Sequence, residues 1–96
     1  MAAERDIETH LLTAARRAGF LLLKFTCPGR DGVPDRVLIT PAGTLFVELK
    51  APGCRPRRLQ EVTFARMARS GARIHVIDSV AAADRLIDEL VATPPR

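Results

Sequence analysis

Apolar residues recur at three- and four-residue spacing near the start of the chain, where Ile7, Leu11, Leu12, Ala15 and Ala18 form one stripe. This predicts a helix over residues 4–18. Glu4, Asp6 and Glu8 stand at the end where the helix dipole favours acids, and Arg16 and Arg17 stand at the other. Gly19 is a stop signal. The continuous apolar run 20–26 (FLLLKFT) has strand length, and CPGRDGVP at 27–34 has too many prolines and glycines for regular structure. A strand follows at 36–40, a turn at 41–44 and a return strand at 45–50. Residues 51–56 are loop again. A second helix is expected over 57–70, with Leu59, Val62, Phe64, Ala65, Met67 and Ala68 as its apolar positions. Then come a strand at 73–77 and a helix capped by Ser79, which runs to about Val91 with Ala82, Ala83, Leu86, Ile87, Leu90 and Val91 facing inward. Residues 92–96 read as a frayed tail.

The order is αβββαβα, an α/β fold in one domain spanning 1–96 with no repeat or internal linker. Strands two and three form an antiparallel hairpin. The helix over 57–70 is long enough to return the chain for a parallel pairing of the third and fourth strands. The sheet is therefore mixed and four-stranded, flanked by helices. A four-residue turn pairs Thr40 with Leu45, Val37 with Glu48 and Asp35 with Lys50. Opposed and alternate strand residues share a face, so Asp35, Glu48 and Lys50 all project from one face at one end. A loop one residue longer or shorter puts Asp35 on the other face.

Composition narrows the class. Ninety-six residues with 47% hydrophobic and 27% charged side chains suit a small soluble globular protein. No apolar run approaches the roughly 20 residues that cross a bilayer. The acidic N-terminal stretch lacks the pattern of a signal peptide, so a cytoplasmic location in a bacterial or phage-infected cell is expected. Cys27 and Cys54 have no metal-ligand spacing and are expected as free thiols. The net charge of +4 rests on thirteen arginines against two lysines. Arg55, Arg57 and Arg58 crowd one loop while Arg30 and Arg36 bracket the GVPD turn, making these five the candidate phosphate contacts. With four Phe and no Trp or Tyr, an extended base-stacking platform is not expected.

Asp35, Glu48 and Lys50 carry the candidate chemistry. Two neighbouring carboxylates repel unless a cation lies between them, and hard divalent ions prefer oxygen ligands. A water of lowered pKa at such an ion can attack a phosphate, and an ammonium beside it can steady the developing charge. Taken alone, the Glu-x-Lys pair equally describes a surface ion pair worth under about 1 kcal/mol. The register and the basic loop distinguish the two readings. His10 and His75 read as helix-surface and strand residues, and Phe46 and Phe64 as core.

The run GVPDRVLI, FVELKAPG, a basic loop and then Gln60 resembles the VRR-NUC (virus-type replication-repair nuclease) family of the PD-(D/E)xK superfamily. Pro34-Asp35 and Glu48-Leu49-Lys50 match the superfamily signature, and Gly32, Val33 and Gln60 match the family's version. The resemblance implies a restriction-endonuclease-like core and a Mg²⁺- or Mn²⁺-dependent endonuclease. It implies that Asp35, Glu48 and the Leu49 carbonyl hold the metal, Lys50 is catalytic, and Gln60 positions backbone or water. The first-helix acid of the family maps to Glu8, with Glu4 one turn earlier as the alternative. Stand-alone members imply a homodimer acting on branched DNA such as four-way (Holliday) junctions in replication or repair. A flap-type or non-specific nuclease and a non-catalytic DNA-binding module are the alternatives.

Overall fold

The computed structural model describes residues 3–96. Helix α1 (Glu4–Arg17) leads into β1 (Leu21–Lys24), and a loop carries the chain to the hairpin of β2 (Arg36–Thr40) and β3 (Gly43–Leu49). Helix α2 (Arg58–Arg69), β4 (Ile74–Ile77) and α3 (Val80–Ala92) complete the αβββαβα order expected from the sequence. The strands lie in the order β1-β2-β3-β4, antiparallel up to β3 and parallel between β3 and β4.

The hairpin register differs from the expected one. Thr40 pairs with Gly43 and Arg36 with Val47, so the turn is Pro41-Ala42 alone. Two local features tighten it. Thr40 Oγ1 accepts from Ala42 N at 3.1 Å and donates to the Gly43 carbonyl at 2.8 Å. Gly43 begins β3 with φ +123°, a value open chiefly to glycine. Continued one pair beyond Arg36 and Val47, this register sets Asp35 across from Glu48 rather than Lys50. A shift of two residues keeps every side chain on its face, so the expected grouping of Asp35, Glu48 and Lys50 survives.

The two sheet faces are unlike. On one, Leu38, Leu45, Val47, Leu49 and Ile77 are buried in a single cluster with Ile7, Leu11 and Ala15 of α1 and Ala83, Leu86, Ile87 and Leu90 of α3. Burying each large aliphatic side chain contributes about 1.5–3 kcal/mol relative to leaving it exposed, so this layer supplies most of the stability. His10 Nε2 and Asp84 Oδ1, 2.7 Å apart, tie α1 to α3 at the surface. Ser79 caps α3 by accepting from Ala82 N at 3.0 Å. Val91, expected to face inward, is 61% exposed because it falls off the buried stripe in the last turn. Beyond α3 the chain returns to the hairpin, where Arg96 N donates to the Pro41 carbonyl at 2.9 Å.

The opposite face carries Phe46 and Glu48 of β3, and α2 meets it with polar residues. Gln60 and Thr63 are the buried residues of α2. Leu59 and Val62 are largely exposed, against the apolar-inward expectation. Gln60 and Thr63 are the residues of α2 turned to the Glu48 carboxylate and to Gly32 of the loop before β2, which leaves Leu59 and Val62 outside the aliphatic cluster.

Candidate active site

The loop before β2 is pinned to α2 by a glycine. Gly32 has φ +88°, and a Cβ there would lie 2.9 Å from Thr63 Oγ1 and 3.0 Å from the Leu59 carbonyl oxygen. No other residue fits this approach without displacing the helix. Pro34 is fully buried beside it. The GVP segment thus fixes where Asp35 enters the sheet, and Phe25 N donates to the Asp35 carbonyl at 2.9 Å to hold that entry. Across the hairpin, Leu49 N donates to Asp35 Oδ1 at 3.3 Å, so the side chain leans on the strand that carries Glu48.

Glu48 is only 4% exposed, and its two oxygens are treated differently. Oε2 accepts from Gln60 Nε2 at 2.9 Å and faces Lys50 Nζ at 3.1 Å. Oε1 is buried with no partner. An unsatisfied buried acceptor costs about 1–3 kcal/mol, and more when charged. The amide of Gln60 is held at both ends, because its Oε1 accepts from Arg57 N at 3.0 Å at the start of α2. Gln60 therefore positions the carboxylate itself, a more specific task than the backbone or water contact expected for it.

Burial pushes the Asp35 carboxyl above its ordinary value, and the charge of Glu48 pushes it the same way. Arg36 and the Leu49 amide pull it partly back, and the Glu4 charge adds a smaller rise. Asp35, whose ionisation is disfavoured, and Glu48, with one buried unpartnered oxygen, form an all-oxygen donor pair. That chemistry fits a hard divalent cation. Among the described residues no group of three or more His, Cys, Asp or Glu could hold a metal ion, so Asp35 and Glu48 form a pair and not a closed cage.

Glu8 is the predicted ligand that the structure does not bring to this pair. Its Oε2 accepts from Arg36 Nη2. The physical reason is placement: α1 packs on the other face of the sheet, where Arg36 also projects from β2. Arg36 in turn donates to the Asp35 carbonyl at 2.9 Å and sits 3.7 Å from Asp35 Oδ2. Glu8 thus reaches the site through Arg36, and Arg36, mostly buried, supports Asp35 instead of facing solvent as a phosphate contact. Arg30, Arg55, Arg57 and Arg58 are exposed on the loops and helix start around the site. Cys27 and Cys54 are free thiols. His75 is half-buried in β4, its pKa lowered by burial and then by Arg73, away from the carboxylates. Sequence reasoning missed the packing of Gly32 on Thr63. The glycine was visible in GVPD, but its partner lies 31 residues on and carries no motif.

An Asp at the mouth of a β-hairpin, a Glu-x-Lys across from it and an α/β sheet behind them are the arrangement that the PD…ExK pattern leads one to expect. No protein-family model matches the chain. A curated protein, "Putative nuclease p44" of Acyrthosiphon pisum secondary endosymbiont phage 1, is 44% identical over 77 residues, which are 79% of this chain and 83% of that protein. A solved structure described as a VRR_NUC domain superposes with a TM-score of 0.81 at 29% identity, covering 91% of this chain and 97% of the other. The chain belongs to the VRR-NUC family of nucleases.

Proposed function

We propose that the protein is a divalent-metal-dependent endonuclease that hydrolyses phosphodiester bonds in branched DNA, such as four-way junctions, as a homodimer in the cytoplasm of a bacterial or phage-infected cell. The observation that carries the metal dependence is the buried, unpartnered Oε1 of Glu48 beside an Asp35 whose ionisation is disfavoured. Asp35, Glu48 and the Leu49 carbonyl would hold Mg²⁺ or Mn²⁺. When bound, the ion supplies a water of lowered pKa and offsets charge on the phosphate oxygens.

The side chains supply the rest. Gln60 orients Glu48 by occupying Oε2, which leaves Oε1 free. Lys50 Nζ, beside that carboxylate, presents a compact positive charge to the phosphate as negative charge builds on it. Arg36 holds Asp35 in place, with Glu8 behind it, and Glu4 remains the alternative first-helix acid because its charge reaches Asp35. Arg30, Arg55, Arg57 and Arg58 supply phosphate contacts around the mouth. For the dimer, Leu21, Leu23 and Ile39 are a candidate surface, exposed on the site-bearing face at the β1 side of the sheet. Sedimentation velocity tests it.

The function is tested with end-labelled linear duplex, flap and four-way junction DNA incubated with Mg²⁺, Mn²⁺ or chelator. The expected result is nicking only with metal and fastest on the junction. Metal-dependent cutting of all three at one rate removes the structure preference and leaves a non-specific nuclease. DNA binding without cutting under any condition makes the protein a binding module of the same fold.

A further inference from the structure

A second feature sits on the site-bearing face, one strand turn from the carboxylates. Phe46 lies two residues before Glu48 on β3, on the same face and about 7 Å along the strand. It lines a shallow groove of about 330 Å³ with Arg30 from the loop before β2, Arg66, Met67 and Ser70 from the end of α2, and Ala72. The Phe46 ring is braced by Phe25, with centroids 5.2 Å apart in an edge-to-face contact. Neither Arg30 nor Arg66 has a carboxylate partner among the described residues. No acid lines the groove. It therefore offers two uncompensated guanidinium groups beside a soft apolar floor.

We infer that this groove binds one nucleotide of the substrate strand, its phosphate shared by Arg30 and Arg66 and its base or sugar resting on Phe46 and Met67. Guanidinium groups match phosphate oxygens in geometry and charge, and an aromatic ring with a thioether accepts the flat face of any base. The volume stands at the lower end for small-ligand sites, which suits a single nucleotide and not a length of duplex. The rise of about 7 Å along β3 between Phe46 and Glu48 puts the groove next to the carboxylates. The bound nucleotide thus lies close to the cleaved bond and helps to fix which bond that is. This site rests on the nuclease reading above and adds Arg66 and Met67 to it.

The test uses the full chain with ¹³C-methyl-labelled methionine, which has two methionines, Met1 and Met67. A fluorescein-labelled flap DNA is titrated in chelator at low salt until its anisotropy saturates. The Met67 methyl signal is expected to shift in step with saturation. Across a salt series, R30A/R66A together should reduce the slope of log affinity against log salt by about 0.7–0.9, the share of one phosphate. R66A alone, or R30A alone, should reduce it by only part of that, since the other arginine still contacts the same phosphate. R85A, exposed on α3 behind the sheet, should leave the slope unchanged. A Met67 signal that stays put at saturation, a slope untouched by R30A/R66A, a double variant that loses the share of two phosphates, or no saturable binding each overturns the site. Cleavage with Mg²⁺ or Mn²⁺, measured separately, decides the nuclease reading itself, so the two can fail independently.

Discussion

The two faces of this four-stranded sheet are built from the same strands and do opposite work. Along β3 the residues alternate, with Leu45, Val47 and Leu49 turned to α1 and α3 and Phe46 and Glu48 turned to α2. The first face is closed and mainly aliphatic, with Arg36 and Thr40 of β2 as its polar members. The second buries a carboxylate with one oxygen unsatisfied, packs a helix through Gln60 and Thr63, and leaves Leu21, Leu23 and Ile39 exposed. Stability concentrated on one face lets the other carry groups that weaken the fold. A strand's period of two separates these tasks by a single residue.

The largest effect is expected where the closed face is opened. Leu45→Ala removes a fully buried side chain and should lower unfolding free energy in urea by about 2–5 kcal/mol. Where the protein remains folded, its rate per folded molecule should be unchanged. The converse is expected of Lys50→Gln, which keeps a donor near Glu48 but removes the charge. Its cleavage rate should fall by about 10²–10³, while DNA affinity in chelator and the urea midpoint stay near those of the parent. If Leu45→Ala lowered the rate per folded molecule as much as Lys50→Gln does, the division between the faces would be wrong.

A smaller effect is expected at Gln60. Gln60→Ala leaves Glu48 Oε2 without its fixed donor, and a residue that orients a ligand typically accounts for 10–100-fold in metal affinity or activity. Titration calorimetry with Mn²⁺ should show that loss while the affinity for DNA in chelator holds. An unchanged Mn²⁺ affinity would make Gln60 a structural cap of α2 alone.

How far the sequence revealed this site depends on the range of the interaction. The element order, the parallel crossover and the face shared by Asp35, Glu48 and Lys50 follow from local periodicity and strand parity, which are short-range. The observed turn is two residues shorter than the expected one because Gly43 begins a strand with positive φ where its neighbours suggest a turn. Parity forgave the error. What stayed hidden was long-range: Glu8 turned to Arg36, Gly32 seated on Thr63, and an α2 whose buried side is Gln60 and Thr63 while Leu59 and Val62 face outward. An apolar stripe predicts burial only where the opposing surface is apolar.

The smallest effect, and the most discriminating, concerns the charge of Asp35 in protein freed of metal. Burial first, and the neighbouring Glu48 second, raise its pKa above the ordinary value of 3.8. The folded state therefore holds this proton more tightly than the unfolded chain does. Below 3.8 the group makes no difference to stability. As pH rises from there through the folded pKa, stability is lost, and the full cost persists at neutral pH. Asp35→Asn removes the charge yet keeps an oxygen for the Leu49 amide, which now bonds Oδ1 at 3.3 Å. In thermal melts with chelator, the variant should melt above the parent at pH 7 and together with it below pH 3.8. Adding Mg²⁺ or Mn²⁺ should raise the parent's midpoint, since a ligand that binds only the folded state stabilises it, and leave the variant's nearly unmoved. A variant that melts below the parent at pH 7 in chelator would mean the Asp35 charge is already satisfied inside the protein, leaving the open face no need of a cation.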